Sequence, residues 1–303
     1  MEIDTALGGL PRITAGYLID GPAPVLVETG ARSSVPVVLA SLEHLGLGPS
    51  DLAGVVVTHI HLDHAGGVGD IAAAFPRARV YVHEKGARHL AHPERLVRSA
   101  SMVYGPLLDS LYGRLLPTDP GRIHVLQDGE EIEIGPGRRL CAVDSPGHAK
   151  HHLGLHDSLS GILFVGDAVG VRLPDVGILR PATPPPDFDL ELALRSLRRF
   201  SDRRPVSLAL AHYGVLADPS GLLAQAQEVL VHWAETAEAA FGEGRDIADA
   251  LSERFASPAG VDAVGMERME MMNGIHSNAQ GLRRWLETRE APQGPDSSVH
   301  REA

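Results

Sequence analysis

Residues 58–67 read THIHLDHAGG and set His59, His61, Asp63 and His64 within six consecutive positions. Imidazole and carboxylate are the groups that zinc and related divalent cations take as ligands. Four of them so close would repel one another, or lose water without compensation, unless a cation sat among them. The apolar run Ala53–Ile60 leads into the motif, so it lies where a strand gives way to a tight loop. There His59 and His61 can point the same way, and Asp63 and His64 swing round as the chain enters the next helix. Three further candidate ligands end apolar runs: His148 in DSPGH, Asp167 in GILFVGD and His212 in SLALAH. Strand ends are where α/β folds place their chemistry. Singly, each has an ordinary explanation in a backbone-satisfied histidine or a GD turn. Together, in this order, they point to a metal site. No GxSxG elbow is present, and Cys141, the single cysteine, stands among apolar residues as core filler.

The elements that position these residues are legible from patterning. Ile13–Asp20 and Pro24–Gly30 flank a turn-rich DGPAP and predict a β-hairpin. Ser34 is placed to cap a helix carrying Val35, Val38, Leu39, Leu42 and Leu45 at helical spacing. A strand over Ala53–Ile60, a small-residue helix from Gly66 to Phe75 and a strand over Arg79–His83 follow. This β-α-β-α-β order predicts a layered α/β domain with helices outside sheets. Residues 86–117 are helix-like and interrupt the strands as an insertion. Strands are expected again at Ile123–Leu126, Glu131–Ile134, Arg139–Asp144, His152–Leu155 and Gly161–Gly166, then at Ser207–Ala211. The proline-rich Ile178–Asp189 feeds a helix that Asp187 or Asp189 caps. The chain divides into a catalytic domain over 1–220, a helical C-terminal extension over 221–290 with a turn near Ser257–Gly260, and a flexible tail over 291–303.

HxHxDH followed by the PGH histidine, the GD aspartate and a late strand-end histidine resembles the metallo-β-lactamase superfamily, and within it the glyoxalase II and lactonase branch. The resemblance runs from about Ile13 to Gly214 and keeps all seven ligands. It implies a four-layer αββα sandwich with a two-metal site on one edge. It assigns His59, His61 and His148 to one ion and Asp63, His64 and His212 to the other, with Asp167 bridging. Zinc is the expected metal, with iron or manganese as alternatives. The implied reaction is hydrolysis of a small ester, thioester or lactone by a metal-bridging hydroxide, with Asp63 also serving as a catalytic proton shuttle. Three departures from the family pattern stand out. Glu28 in VETG replaces the aspartate of the usual Asp-Thr-Gly. Gly170 stands where some lactonases carry a tyrosine. The glutathione-binding basic pattern of glyoxalase II is not evident in the C-terminal region.

Around this centre, Tyr104 and Tyr112 of the insertion are candidates for one wall of the substrate cleft. Arg180 could clamp a substrate carboxylate, Tyr213 could direct its hydroxyl at a carbonyl, and His276, with Asn278, could reach the cleft if its helix folds over it. His151 and His152 are expected at the surface or behind the ligands. Met266, Met269 and Met272 fall near one helical face, which predicts core packing or a homodimer contact through the extension. The formal net charge of −12 argues against nucleic acid and anionic membranes as partners. That charge also disfavours the phosphodiesterase or nuclease chemistry that the same ligands can support. Iron-dependent sulfur or oxygen redox chemistry is the other rival, and seven intact ligands favour the dinuclear hydrolase. No apolar run approaches the roughly 20 residues of a membrane span, the start lacks a secretory layout, and one cysteine needs no oxidising compartment, so a cytoplasmic location is expected.

Overall fold

Short β-branched and apolar runs form two sheets whose side chains alternate between faces. The computed structural model describes residues 1–255 and 261–290. One sheet comprises β1 (Glu2–Asp4), β2 (Ala15–Ile19), β3 (Val25–Val27), β4 (Gly54–Val56), β5 (Arg79–His83) and β6 (Ile123–Leu126), side by side in that order. β1 to β3 pair antiparallel and β3 to β6 parallel. The other comprises β7 (Glu131–Gly135), β8 (Arg138–Asp144), β9 (Leu153–Asp157), β10 (Ile162–Gly166), β11 (Ser207–Leu210) and β12 (Val215–Leu216), also in sequence order across the sheet.

Helices α1 (Val35–His44), α2 (Leu62–Ala65), α3 (Val68–Ala74), α4 (Glu84–Ala91) and α5 (Glu94–Tyr104) interleave with the first sheet. After β10 come α6 (Leu190–Asp202), α7 (Pro219–Gly242), α8 (Ile247–Phe255), α9 (Ala263–Asn273) and α10 (Ile275–Glu290). Alternation sorts the apolar residues into three cores. Leu18, Leu26, Val55 and Val80 pack under α1, α3 and α4. Tyr17, Val25, Val27 and Val56 meet Leu140, Ala142, Phe164 and Ala209 of the second sheet. Val143, Leu163, Val165, Leu208 and Leu210 pack under α6, α7, α8 and α10, around Trp233. The layers therefore run helix, sheet, sheet, helix, an αββα sandwich. Of the C-terminal helices, α7, α8 and α10 share the second sheet's core and, with α6, make its outer layer, while α9 packs on the first core.

Several elements differ from the sequence expectation. Ser34 does not cap α1: it lies in helical geometry at the end of a 3-10 turn, Arg32–Ser34, and its hydroxyl makes no capping bond. Asp189 does cap α6, accepting from the Leu192 N–H at 2.8 Å. β4 stops at Val56, because from Thr58 the chain leaves the ladder to form the loop discussed below. The three-residue β1 and two-residue β12 are too short for a periodic signal. Met269 is fully buried and Met272 packs beside it in the first core, so the methionine stripe is largely core. The expected turn at Ser257–Gly260 and the tail 291–303 lie outside the described residues. Among the described residues, no helix is long and apolar enough to cross a membrane.

Candidate metal centre

The loop leaving β4 turns at Thr58, whose N–H donates to Glu28 Oε1 at 2.8 Å. His59 follows, and His61 sits in extended backbone just before α2. The single turn of α2 then carries Asp63 and His64, pinned where Thr29 donates through both N–H and Oγ1 to the His64 carbonyl at 2.9 Å. His148, Asp167 and His212 arrive from the second sheet, after β8, β10 and β11. Two glycines in these loops have a geometric cause. Gly147 has φ +141°, and a Cβ there would lie 2.4 Å from the Ala193 backbone. Gly166, φ +50°, precedes Asp167, and its Cβ would fall 2.4 Å from His152 Nε2 and 2.6 Å from Thr58 Oγ1. Only glycine lets the loop press this closely.

The seven groups form two clusters, His59, His61, His148 and Asp167 in one and Asp63, His64 and His212 in the other. His61 Nδ1 lies 3.1 Å from His59 Nε2 and 3.0 Å from His148 Nε2. Two ligands held about 2.05 Å from a tetrahedral zinc ion stand about 3.3 Å apart, close to these separations. In the other cluster, Asp63 Oδ2 stands 3.3 Å from His64 Nε2 and 3.6 Å from His212 Nε2. Asp167 serves both clusters. Its Oδ2 lies 4.0 Å from His59 Nε2 and 3.7 Å from His148 Nε2, and its Oδ1 lies 3.5 Å from both His64 Nε2 and His212 Nε2.

The remote ring nitrogens are tied outward. His59 Nδ1 meets Thr58 Oγ1 at 2.9 Å, His148 Nδ1 meets the Ala182 carbonyl at 3.0 Å, and His212 Nδ1 meets the Ile13 carbonyl at 3.2 Å. Such partners hold the proton on the outer nitrogen and aim the inner lone pair into the centre. His64 Nδ1 faces buried Glu28 Oε2 at 3.8 Å, so the glutamate of VETG fills the corresponding position. His152, fully buried, sits behind Asp167: its Nε2 accepts the Asp167 N–H at 3.2 Å, and Nδ1 bonds Ser145 Oγ at 2.8 Å.

Electrostatics point the same way. Burial, with the neighbouring imidazoles, pushes His59 well below the usual histidine range and His61 down to about 4. Neutral rings with free lone pairs are what a cation needs. Burial pushes His64 down too, but the Asp63 and Asp167 carboxylates outweigh it and hold a proton there. A metal cation fits the position of that proton. The fit is supported by buried polar atoms without partners at this spot, His64 Nε2 and Asp167 Oδ1. The donor set, five imidazoles and two carboxylates, suits divalent metals of the zinc, iron and manganese type.

A family model described as the Metallo-beta-lactamase superfamily matches residues 9–212. The chain belongs to the metallo-beta-lactamase superfamily. It is similar to the metallo-beta-lactamase fold-containing protein of Sulfurisphaera tokodaii, 28% identical over 211 residues that cover 68% of this chain and 75% of that one. The crystal structure of an archaeal superfamily protein from Sulfolobus tokodaii shares the fold, with a TM-score of 0.71 and 24% identity over 93% of this chain and 97% of that chain. An acyl-coenzyme A thioesterase of Homo sapiens is 34% identical over 125 residues, 38% of this chain and 40% of its own length.

The residues proposed for the substrate side separate clearly. The Tyr104 and Tyr112 ring centroids lie 4.6 Å apart with their planes tilted by 42°, close enough to the site for the Asp63 charge to act on both phenols. Partial burial and the Asp63 charge raise both phenols, Tyr104 while 38% exposed and Tyr112 from a buried position. Arg180 is not in a position to clamp substrate: its guanidinium is buried, bonded to Glu270 Oε1 at 2.6 Å and the Asn273 carbonyl at 2.9 Å. Tyr213, next to His212, packs on the core between the sheets under Arg12, whose guanidinium lies 5.7 Å from its ring. His276 is exposed at the start of α10, while Asn278 points inward to Thr183. His151 is buried against the ligands, its ring 6.1 Å from that of His61. VETG marked Glu28 only as a substitution for the family aspartate, and nothing local marks the contacts of Thr58, Ser145 or Asn278.

Proposed function

We propose that this chain is a dinuclear metal-dependent hydrolase of a small ester, thioester or lactone, with zinc first among the candidate ions and iron or manganese as alternatives. The observation that carries the reading is the division of one carboxylate. Asp167 turns Oδ2 toward His148, 3.7 Å away, and Oδ1 toward His212, 3.5 Å away. A carboxylate shared in this way suits two cations about 3.5–4 Å apart.

In this reading, His59, His61 and His148 hold one ion, Asp63, His64 and His212 hold the other, and Asp167 belongs to both. When bound, the ions supply Lewis acidity and bring the ionisation of water toward neutral pH. The chain's own residues do the rest. Asp63, whose side chain keeps 16% of its surface exposed, accepts a proton and returns it to the leaving group. The buried imidazoles keep their outer protons and so stay fixed as donors of lone pairs. Tyr104 and Tyr112 form the wall against which the acyl portion of the substrate lies, and they exclude water from that side. Among the candidate substrates, a thioester is favoured by the relative named as an acyl-coenzyme A thioesterase, and by a hydroxyacylglutathione hydrolase of Serratia proteamaculans, 30% identical over 48% of this chain and 42% of its own length.

Two measurements on one preparation test the reading. Metal analysis of protein purified without chelator is expected to approach two ions per chain, and a folded protein with one ion or none would overturn the dinuclear site. A screen of thioesters, lactones, aryl esters and bis(p-nitrophenyl) phosphate is expected to favour the carbonyl substrates. Dominant phosphodiester cleavage would reverse the assignment.

A further inference from the structure

The C-terminal helices approach the centre without contributing a ligand, and the way they do so is specific. Residues 180–183 form an irregular strap whose Ala182 carbonyl accepts from His148 Nδ1 at 3.0 Å. Irregular backbone has to find its hydrogen bonds outside itself: Arg180 pairs with Val171 through both backbone groups, and beyond it α9 and α10 provide partners. The Thr183 N–H donates to Asn278 Oδ1 at 2.5 Å, and Thr183 Oγ1 lies 2.9 Å from the same oxygen. Asn273 Nδ2 donates to the Pro181 carbonyl at 2.9 Å. The two asparagines are joined to each other, Asn278 Nδ2 to Asn273 Oδ1 at 2.7 Å. Asn278, Thr183 and Arg180 are almost wholly buried, so these bonds do not compete with water.

An independent observation comes from α10 itself. Gly281 stands in the helix interior, where glycine is disfavoured by about 1 kcal/mol against alanine. A Cβ there would come 1.8 Å from the Thr183 carbonyl oxygen and 2.8 Å from the Pro184 carbonyl carbon. The helix backbone therefore lies directly on the strap, and a glycine is needed to allow it.

We infer that Asn278 and Thr183 are positioning residues for the metal centre, acting through the Ala182 carbonyl on His148. Through Thr183, Asn278 fixes the ring orientation and tautomer of a ligand 130 positions away in the sequence. The inference rests on His148 being a metal ligand. Partners that orient ligands in this way are worth roughly 10–100-fold in metal affinity.

The test uses the full chain loaded with cobalt(II), following the visible spectrum and the rate of metal loss to EDTA, with circular dichroism to confirm folding. Asn278→Leu is expected to speed metal loss about tenfold and to alter the cobalt spectrum. In a His148→Ala background the same substitution is expected to change neither, since the link it acts through is gone. Equal acceleration in both backgrounds, or none in either, overturns the inference and leaves the metal reading intact. If His148→Ala alone leaves cobalt uptake, spectrum and release unchanged, the assignment of His148 as a ligand falls. Should Asn278→Leu fail to fold, Thr183→Val removes a single hydroxyl and carries the same expectation in both backgrounds, smaller in size.

Discussion

A histidine has two nitrogens, and at this centre the outer one determines what the inner one can do. Glu28 Oε2, 3.8 Å from His64 Nδ1, is the residue where that rule can be tested most sharply. Glu28→Gln keeps an oxygen to accept from the Thr58 N–H but turns an N–H₂ toward His64. That donor favours the tautomer with its proton on Nε2, the nitrogen that faces Asp63 and Asp167. The expected result is a 10–100-fold loss of affinity for one of two ions, read by competition with a chromogenic chelator; unchanged affinity at both sites would count against the role. Asp167→Ala should act on both ions at once, abolishing turnover and lowering total metal content. Loss of a single ion with activity retained would mean that it is not shared. The ligand types were readable in the sequence because they crowd into HxHxDH and mark strand ends. Glu28 was readable only as a substitution. Arg180 was misread as a substrate clamp because its partners, Glu270 and Asn273, lie 90 and 93 residues away.

Among the elements, the insertion between β5 and β6 is the proposed cleft wall and the pair α9–α10 the proposed brace. Tyr104→Ala in the wall is expected to raise KM about tenfold and leave kcat nearly unchanged, because it removes binding common to ground and transition states. A fall in kcat alone would contradict that placement. In the brace, Gly281→Ala should lower stability by about 1–3 kcal/mol despite the better helix propensity of alanine, since the added methyl meets the strap. A thermal midpoint at or above the parent's would show that the strap yields freely. Strand and helix order was legible from periods of two and of 3.6. The brace was not, since helical periodicity says which face is buried but not which loop lies under it. The same limit hid the part that the C-terminal helices play as the outer layer of the second sheet.

In the whole molecule, the two clusters straddle the seam between the sheets. His59 and His61 come from the first sheet and join His148 and Asp167 from the second, while Asp63 and His64 join His212. Ions bound there stabilise the docked state in proportion to their binding. At a free metal concentration about 100 times Kd the gain is about 2.7 kcal/mol per site, so chelation should lower Tm on the order of 4–5 °C for each ion removed. Scanning calorimetry of the loaded and stripped chain measures this, and equal midpoints would detach the metal from folding. The seam also dictates an order of assembly. During synthesis the four ligands of residues 59–64 emerge long before His212, and on their own they can complete neither site. Tight capture must wait until the second sheet has closed over the first. In the proposed dinuclear site the ions would then be the last parts to arrive, sealing a finished sandwich rather than seeding it.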